Sequence, residues 1–375
     1  MRDVLADLHR WWVAGEPVGM GTVVGTWRSA PRPAGAAMLV GPDGSAVGSV
    51  SGGCVEGAVY ELAKEVIDTG TPVLQRYGVS DDDAFAVGLT CGGIIDVFVE
   101  RVDQESFPEL GAVAKAIGDR VPVAVATCIA AEHDGADPAG RLGRRLVVWP
   151  DHVDGTLGSD RLDAAVVDDV RGLLTTGRSG ALHYGYDGQR RGEELTFFVN
   201  TYAPPPRMIV FGAIDFAAAV ARIGGFLGYR VTVCDARPVF ATKRRFPMAH
   251  EVVVDWPHRL LNRVAAELGP RDAVCVLTHD AKFDVPAIVA ALATDVGYLG
   301  AMGSRRTHAD RVERLREQGV DDAGLARIRA PIGLDLGART PEETAIAICA
   351  EIIALRTGRV SGAAPLRDTS GPIHA

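Results

Sequence analysis

The chain has 375 residues, 47% hydrophobic and 23% charged, with a formal net charge of −9 and a pI near 5.5. That length exceeds one ordinary core and predicts two domains. The acidic balance has no basic stripe, which excludes a nucleic-acid surface, and no run of about 18 apolar residues predicts a membrane span.

The first eight residues, Met1-Arg-Asp-Val-Leu-Ala-Asp-Leu8, put acids where a secretory signal carries an apolar core, so a cytoplasmic protein is expected. Residues 3–14 have helical periodicity, with Val4, Leu5, Leu8, Trp11 and Trp12 on one face. Strand-like stretches punctuated by Gly and Pro follow at 18–27, 36–40 and 45–51. A helix is predicted over about 55–69, ending near Gly70, then strands at 73–77 and 94–100. The middle, 106–200, reads as one helix with strands at 121–129, 145–148 and 194–200 and a loop at 132–144. Three consecutive prolines, Pro204, Pro205 and Pro206, form a stiff connector without amide donors and mark a domain boundary. Beyond it, strands at 208–211, 230–234, 251–254, 273–277 and 296–299 alternate with helices at 215–227, 258–268, 283–293, 304–318 and 341–357. The expected fold class is therefore α/β. A mixed α+β N-terminal domain (1–203) precedes a Rossmann-like doubly wound parallel sheet (207–358), with a disordered tail at 359–375.

In the second half, Gly212-Ala-Ile214-Asp-Phe-Ala217 stands where G-x-G-x-x-G/A would bind a dinucleotide. Gly212 and Ala217 fit the first and third positions. Ile214 occupies the second, where backbone must approach a pyrophosphate, and its branched side chain obstructs NAD(P). Asp235 closes the second strand where a ribose-binding acid belongs. Thr278-His279-Asp280 ends a later strand, and Gly303-Ser304-Arg305-Arg306 runs from a strand end into a helix start. Ser304 as N-cap, free amides and two guanidinium groups make an anion site there. His279 and Asp280 as simple caps, and a Rossmann scaffold without any dinucleotide, are the competing readings.

In a cytoplasmic chain of this length the six cysteines are not expected to form a disulfide framework, and with no C-x-x-C pair no structural zinc site is expected. Four lie in apolar runs and read as buried hydrophobes. Cys54 and Cys91 instead sit in two glycine-rich turns, Gly48-Ser-Val-Ser-Gly-Gly53-Cys54-Val-Glu56 and Gly88-Leu-Thr-Cys91-Gly92-Gly93. Glycine removes bulk and should leave amides exposed. A helix N-terminus, such as the one Cys54 precedes, favours thiolate, the form needed for sulfur transfer or molybdenum ligation. The loop 29–38 adds Arg32, stiffened by prolines.

Together these motifs resemble the xanthine dehydrogenase accessory factors, the XdhC/CoxI family. The resemblance runs through 29–38, 48–56 and 89–93, then 233–242, 277–280, 298–306 and 331–343. It covers most of 1–358 and is thin over 104–200. It implies a protein that binds molybdenum cofactor (molybdopterin), helps equip it with sulfur and delivers it to a client molybdenum hydroxylase of the xanthine or carbon monoxide dehydrogenase type. A cysteine desulfurase partner and a homodimer are further implications. Cys54 and Cys91, with Gly53, Gly92 and Arg32, are then the expected contacts to the cofactor, its molybdenum or its sulfur. Gly212, Asp235, Thr278, His279, Ser304 and Arg305 would hold its phosphate end. The chain reads as a cofactor chaperone more than a catalyst. Xanthine oxidation itself needs iron–sulfur cysteine sets that six scattered cysteines do not supply. An NAD(P)-dependent oxidoreductase and a ligand-free interaction scaffold are the alternatives.

Overall fold

A computed structural model of the chain describes residues 1–27, 32–78, 93–131 and 140–359. They divide into one unit, Met1–Pro204, and a second that begins at Pro205.

The first unit runs α1 (Leu5–Val13), β1 (Val18–Trp27), β2 (Ala37–Val40), β3 (Ala46–Gly48), α2 (Glu56–Thr69), β4 (Val73–Tyr77) and β5 (Ile94–Val102). It continues with α3 (Leu110–Asp119), β6 (Val123–Ala131), β7 (Arg145–Val148), β8 (Val153–Gly155), α4 (Asp160–Thr176), β9 (Gly180–Tyr184) and β10 (Leu195–Tyr202). The strands form two antiparallel five-stranded sheets, β3-β2-β1-β5-β4 and β8-β7-β6-β10-β9. The second order is the first, element for element, so the unit holds two copies of one fold. The single helix expected for 106–200 is corrected to two, α3 and α4. Their apolar faces (Leu110, Val113 and Ala116; Leu162, Val166 and Val170) are short and interrupted by Gly and Asp, which blurred the period. The strand expected at 45–51 stops at Gly48. The amides of residues 50–53 leave the ladder and turn onto a side chain, the Glu56 carboxylate.

The copies agree in detail. In β1–β5, Thr22 faces Phe98 and Met20 faces Glu100; in β6–β10, Thr127 faces Phe198 and Val125 faces Asn200. Both ladders slip at the same place, leaving Val24 and Ile129 as bulged residues. Those two residues bury together with Phe98 and Phe198 in one apolar cluster. Contacts between the copies are reciprocal: β1 approaches β9 as β6 approaches β4, and α1 packs on α3. Reciprocity of this kind is the property of an isologous interface. Matched residues from both sheets (Thr22 and Thr127, Glu100 and Asn200) also line one small internal cavity. Into it reach the buried Glu100–Arg145 ion pair and the Tyr202 hydroxyl, which has no hydrogen-bond partner among the described residues.

The second unit runs β11 (Arg207–Phe211), α5 (Asp215–Phe226), β12 (Arg230–Asp235), β13 (Glu251–Val254), α6 (Pro257–Val264), β14 (Ala273–Val276) and α7 (Ala281–Leu292). Then come β15 (Tyr298–Ala301), α8 (Arg305–Glu317), α9 (Asp322–Ala326), β16 (Ile328–Arg329) and α10 (Pro341–Arg356). All pairings are parallel, in the order β13-β12-β11-β14-β15-β16. Numbered within the sheet this is 3-2-1-4-5-6, the doubly wound dinucleotide-fold order. Runs such as Met208-Ile-Val-Phe211 and Ala273-Val-Cys-Val276 are buried on both faces because helices cover both sides. Helix α10 starts on a capping box, in which the Thr340 hydroxyl accepts from Glu343 N and the Glu343 carboxylate accepts from Thr340 N. The expected strand at 296–299 lies two residues later, at 298–301, because Asp295, Val296 and Gly297 still belong to the connection out of α7. No helix among the described residues is long and apolar enough to cross a membrane.

Candidate functional site

In the first unit, the chain leaves β3 at Gly48 and reaches α2 through Ser49–Val55. Gly48 has φ +88, and a side chain there would stand 2.4 Å from the Ala37 carbonyl, so glycine is required twice over. The turn then wraps around the Glu56 carboxylate. That group accepts from the Ser49 hydroxyl (2.7 Å), from the amides of Val50 (3.3 Å), Ser51 (2.9 Å), Gly52 (3.0 Å) and Gly53 (2.8 Å), and from the Ser51 hydroxyl. The buried Ser51 hydroxyl in turn accepts from the amides of Cys54 and Val55, both at 3.0 Å. The sequence expectation of exposed amides is thus corrected: every amide from 50 to 55 is taken. Burial alone would raise the Glu56 pKa. The Ser51 and Ser49 hydroxyls and the backbone amides outweigh it and hold the carboxyl at about 2. The turn is a clamped loop that sets a half-buried Cys54 at the entrance of α2, against the Val55, Val59 and Val50 cluster.

Gly53 lies in the left-handed region (φ +120) with open space around it, so its role is backbone conformation and not clearance. Arg32 pairs with Asp3 at 3.5 Å. Cys91 and Gly92 lie outside the described residues. The described residues hold no group of three or more His, Cys, Asp or Glu able to ligate a metal. Cys128, Cys234, Cys275 and Cys349 are buried. Burial pushes the Cys234 thiol up to about 12 and the Cys349 thiol up to about 11, so both stay protonated and inert.

In the second unit the candidate residues lie at the C-terminal ends of adjacent parallel strands, where ligands of such sheets bind. Gly212 has φ +104, and a Cβ there would meet Thr278 Cγ2 at 3.0 Å, so it seals the β11 turn against the β14 turn. Asp235 is almost wholly buried and fully engaged. It accepts from Ala213 N (2.8 Å), Arg237 N (2.9 Å), Arg237 Nε (2.9 Å) and Arg237 Nη2 (2.8 Å). A carboxylate offers about four acceptor positions, so none is left for a ribose hydroxyl unless Arg237 moves. Burial opposes its charge, but Arg237 and the two amides keep its pKa below the usual carboxylate range. With Ile214 in the turn and packed on the core, this edge fits NAD(P) poorly.

Thr278 donates its hydroxyl to Asp284, which pairs with Arg311 Nη2 at 3.0 Å; Arg311 Nη2 also donates to the Met302 carbonyl at 2.7 Å. Asp284 and Arg311 are both buried. This network joins the turns after β14 and β15. Burial raises the Asp284 pKa; Thr278 and Arg311 act against it. Ser304 caps α8, accepting from Thr307 N at 3.1 Å, and Arg305 beside it is exposed. His279 is exposed, and Asp280 caps α7 by accepting from Lys282 N. Glu56, Asp284 and Arg311 are functional candidates that the sequence alone does not single out. Glu56 stands inside a conspicuous motif, while the Asp284–Arg311 pair spans 27 positions and leaves no local signal.

Comparison with known proteins accords with this construction. A family model described as the XdhC Rossmann domain matches residues 208–352, and that of the XdhC and CoxI family matches 11–78 and 116–185. The second of those segments falls in the stretch where sequence resemblance looked thin. The two segments cover matching parts of the two copies, β1 to β4 in one and β6 to β9 in the other. A Bacillus subtilis (strain 168) protein, named as a probable component of xanthine dehydrogenase, is 30% identical over 344 residues, 91% of this chain and 94% of its own. The molybdenum cofactor insertion chaperone PaoD of Escherichia coli (strain K12) is 27% identical over 355 residues, 95% of this chain and 88% of its own. A crystal structure described as a xanthine dehydrogenase from Bacillus halodurans aligns with TM-score 0.67 and 25% identity, over 96% of this chain and 98% of that one. With both of its halves matched and a relative of this identity along nearly its whole length, the chain belongs to the XdhC and CoxI family.

Proposed function

We propose that this protein is a molybdenum cofactor insertion chaperone, which binds the cofactor as cargo and passes it to a molybdenum hydroxylase. The observation that carries the reading is the Cys54 turn: a half-buried thiol on a loop whose six successive amides are all tied down. A fixed thiol is a soft ligand suited to molybdenum or its terminal sulfur. Cys54, with Cys91 of the second glycine-rich turn, would contact that end of the cargo. The Ser304–Arg305 turn, a capped helix start beside an exposed guanidinium, is the place for a phosphate group. The relatives' names support the cargo, since one is a molybdenum cofactor insertion chaperone. The finer reading is that the protein also assists sulfuration, receives sulfur from a cysteine desulfurase, and serves a xanthine or carbon monoxide dehydrogenase-type client in the cytoplasm, as a homodimer. The saturated Asp235 argues against the oxidoreductase alternative.

The test is titration of the purified apo-protein with molybdenum cofactor, followed by pterin fluorescence, for wild type and Cys54→Ala/Cys91→Ala. Stoichiometric binding that the double variant loses is expected. Binding and client activation untouched by the double substitution would overturn the reading.

A further inference from the structure

The duplicated N-terminal unit supplies its own control for the Cys54 turn. Gly48, Ser49, Glu56, Val59, Gly70 and Tyr77 recur 107 positions later as Gly155, Thr156, Asp163, Val166, Gly177 and Tyr184. The recurrence is structural as well. Gly48 and Gly155 have φ +88 and +86, and a side chain at either would strike the neighbouring strand's carbonyl, Ala37 at 2.4 Å or Arg145 at 2.6 Å. Gly70 and Gly177 end α2 and α4 in the left-handed region. At Asp163 the carboxylate accepts from the Thr156 hydroxyl (2.7 Å) and from Leu157 N (2.8 Å), as Glu56 does from Ser49 and Val50.

The copies part company where the chemistry would lie. Gly52-Gly53-Cys54 is replaced by Ser159-Asp160-Arg161. There Ser159 caps α4 from an extended conformation, and among the described residues Asp163 reaches one amide only. The fold therefore needs a carboxylate holding one hydroxyl and one amide at this helix start. The longer Glu56, drawing in three further amides (51, 52 and 53) and a second hydroxyl, exceeds that need, and the surplus bonds fall on the residues that carry Cys54. With both oxygens occupied by donors, Glu56 has no lone pair directed to take a proton from a thiol, so its action is on geometry.

We propose that Glu56 is the positioning residue of the Cys54 turn, an internal anion that fixes where the thiol stands, and that the second copy keeps the clamp as plain scaffold with Arg161 in the cysteine's place. The proposal rests on Cys54 being a working residue, and its test uses no cofactor, so the two readings fail separately. The full chain is alkylated with iodoacetamide over a range of pH, and Cys54 modification is followed in its own peptide by mass spectrometry. The buried thiols stay silent in this assay.

Glu56→Gln removes the charge and sets a side-chain N–H against backbone N–H groups. The loop is expected to open and Cys54 to react roughly tenfold faster, with a changed pH profile. Glu56→Asp, which keeps charge but not reach, gives an intermediate rate, and Asp163→Asn reacts as wild type. A folded Glu56→Gln with wild-type rate and pH profile overturns the proposal, as does an Asp163→Asn that accelerates Cys54 equally. Should Glu56→Gln fail to fold by circular dichroism, Glu56→Asp decides: acceleration supports the clamp and a wild-type rate removes it.

Discussion

Arg145→Met tests how the two copies of the N-terminal unit are held together. Arg145, on β7 of the second copy, is about 95% buried and pairs with Glu100 on β5 of the first. It also donates to the Ser106 carbonyl at 2.7 Å and stacks 4.5 Å over the Phe107 ring. Methionine keeps most of the apolar stem and removes two polar contacts and the stacking on Phe107 at once. It strands the Glu100 carboxylate, whose pKa burial already raises against the pull of Arg145. Removing one partner of a buried pair costs about 3–5 kcal/mol. A domain has about 5–15 kcal/mol in all, so a large fraction of its stability is at stake.

Urea unfolding followed by tryptophan fluorescence reads it, since four of the five tryptophans, Trp11, Trp12, Trp27 and Trp149, belong to the first unit. The pH dependence has a defined sign. A carboxyl whose folded pKa is raised costs nothing while protonated, so its penalty grows as pH rises from its unfolded value through its folded one. The deficit of Arg145→Met should therefore shrink on acidification. Glu100→Gln/Arg145→Met, with no charge left to bury, should recover about 2 kcal/mol of the loss. A single variant costing less than about 1 kcal/mol, or a double variant no better than the single, would refute the reasoning.

Other outcomes follow from the same geometry. Gly48→Ala, strained at φ +88 and clashing with the Ala37 carbonyl, should lower stability by about 3 kcal/mol, whereas Gly52→Ala, at φ +81 in open space, should cost about 1 kcal/mol; thermal melting distinguishes them. Asp235→Asn, which turns a saturated acceptor into a part donor against Arg237 and Ala213 N, should cost about 2–3 kcal/mol in denaturant titration. Calorimetry of the wild type with NAD or NADP should show no saturable binding, and a fitted stoichiometric site would contradict the Asp235 geometry. The Glu56 carboxyl is held near 2 against an ordinary 4.5, so its contribution is complete above pH 4.5 and lost between there and about pH 2. An acid titration of Glu56→Gln should be flatter in that window than that of wild type.

What could be read in advance followed the range of the interactions. Continuous apolar runs such as Met208–Phe211 are local, and their alternation with helical stretches made the doubly wound half legible. The cysteine turn was also visible, because Gly52-Gly53-Cys54 is conspicuous as composition. Its inner wiring was not: whether amides face outward or onto Glu56 depends on φ at Gly52 and Gly53, which glycine leaves undetermined. Antiparallel pairing across long separations hid the duplication. The copies share a few scattered glycines, one acid, Val59/Val166 and Tyr77/Tyr184, while their differing cores (Ala63 against Val170, Met20 against Val125) erase similarity of composition. Tertiary pairs such as Glu100–Arg145 and Asp284–Arg311 carry no local periodicity.

The reciprocal packing of the two copies has a consequence for how such a unit can vary. In a dimer of identical chains, any substitution is imposed on both sides of the symmetry axis, so a charge placed near the axis always meets itself. Joining the halves in one polypeptide lifts that restriction. Glu100 can then face Asn200 across the internal cavity, taking its counter-ion from Arg145 where the first copy has Ala37, and a thiol can be kept on one side while arginine takes its place on the other. Asymmetry of this kind is open to a fused pair and closed to a free one.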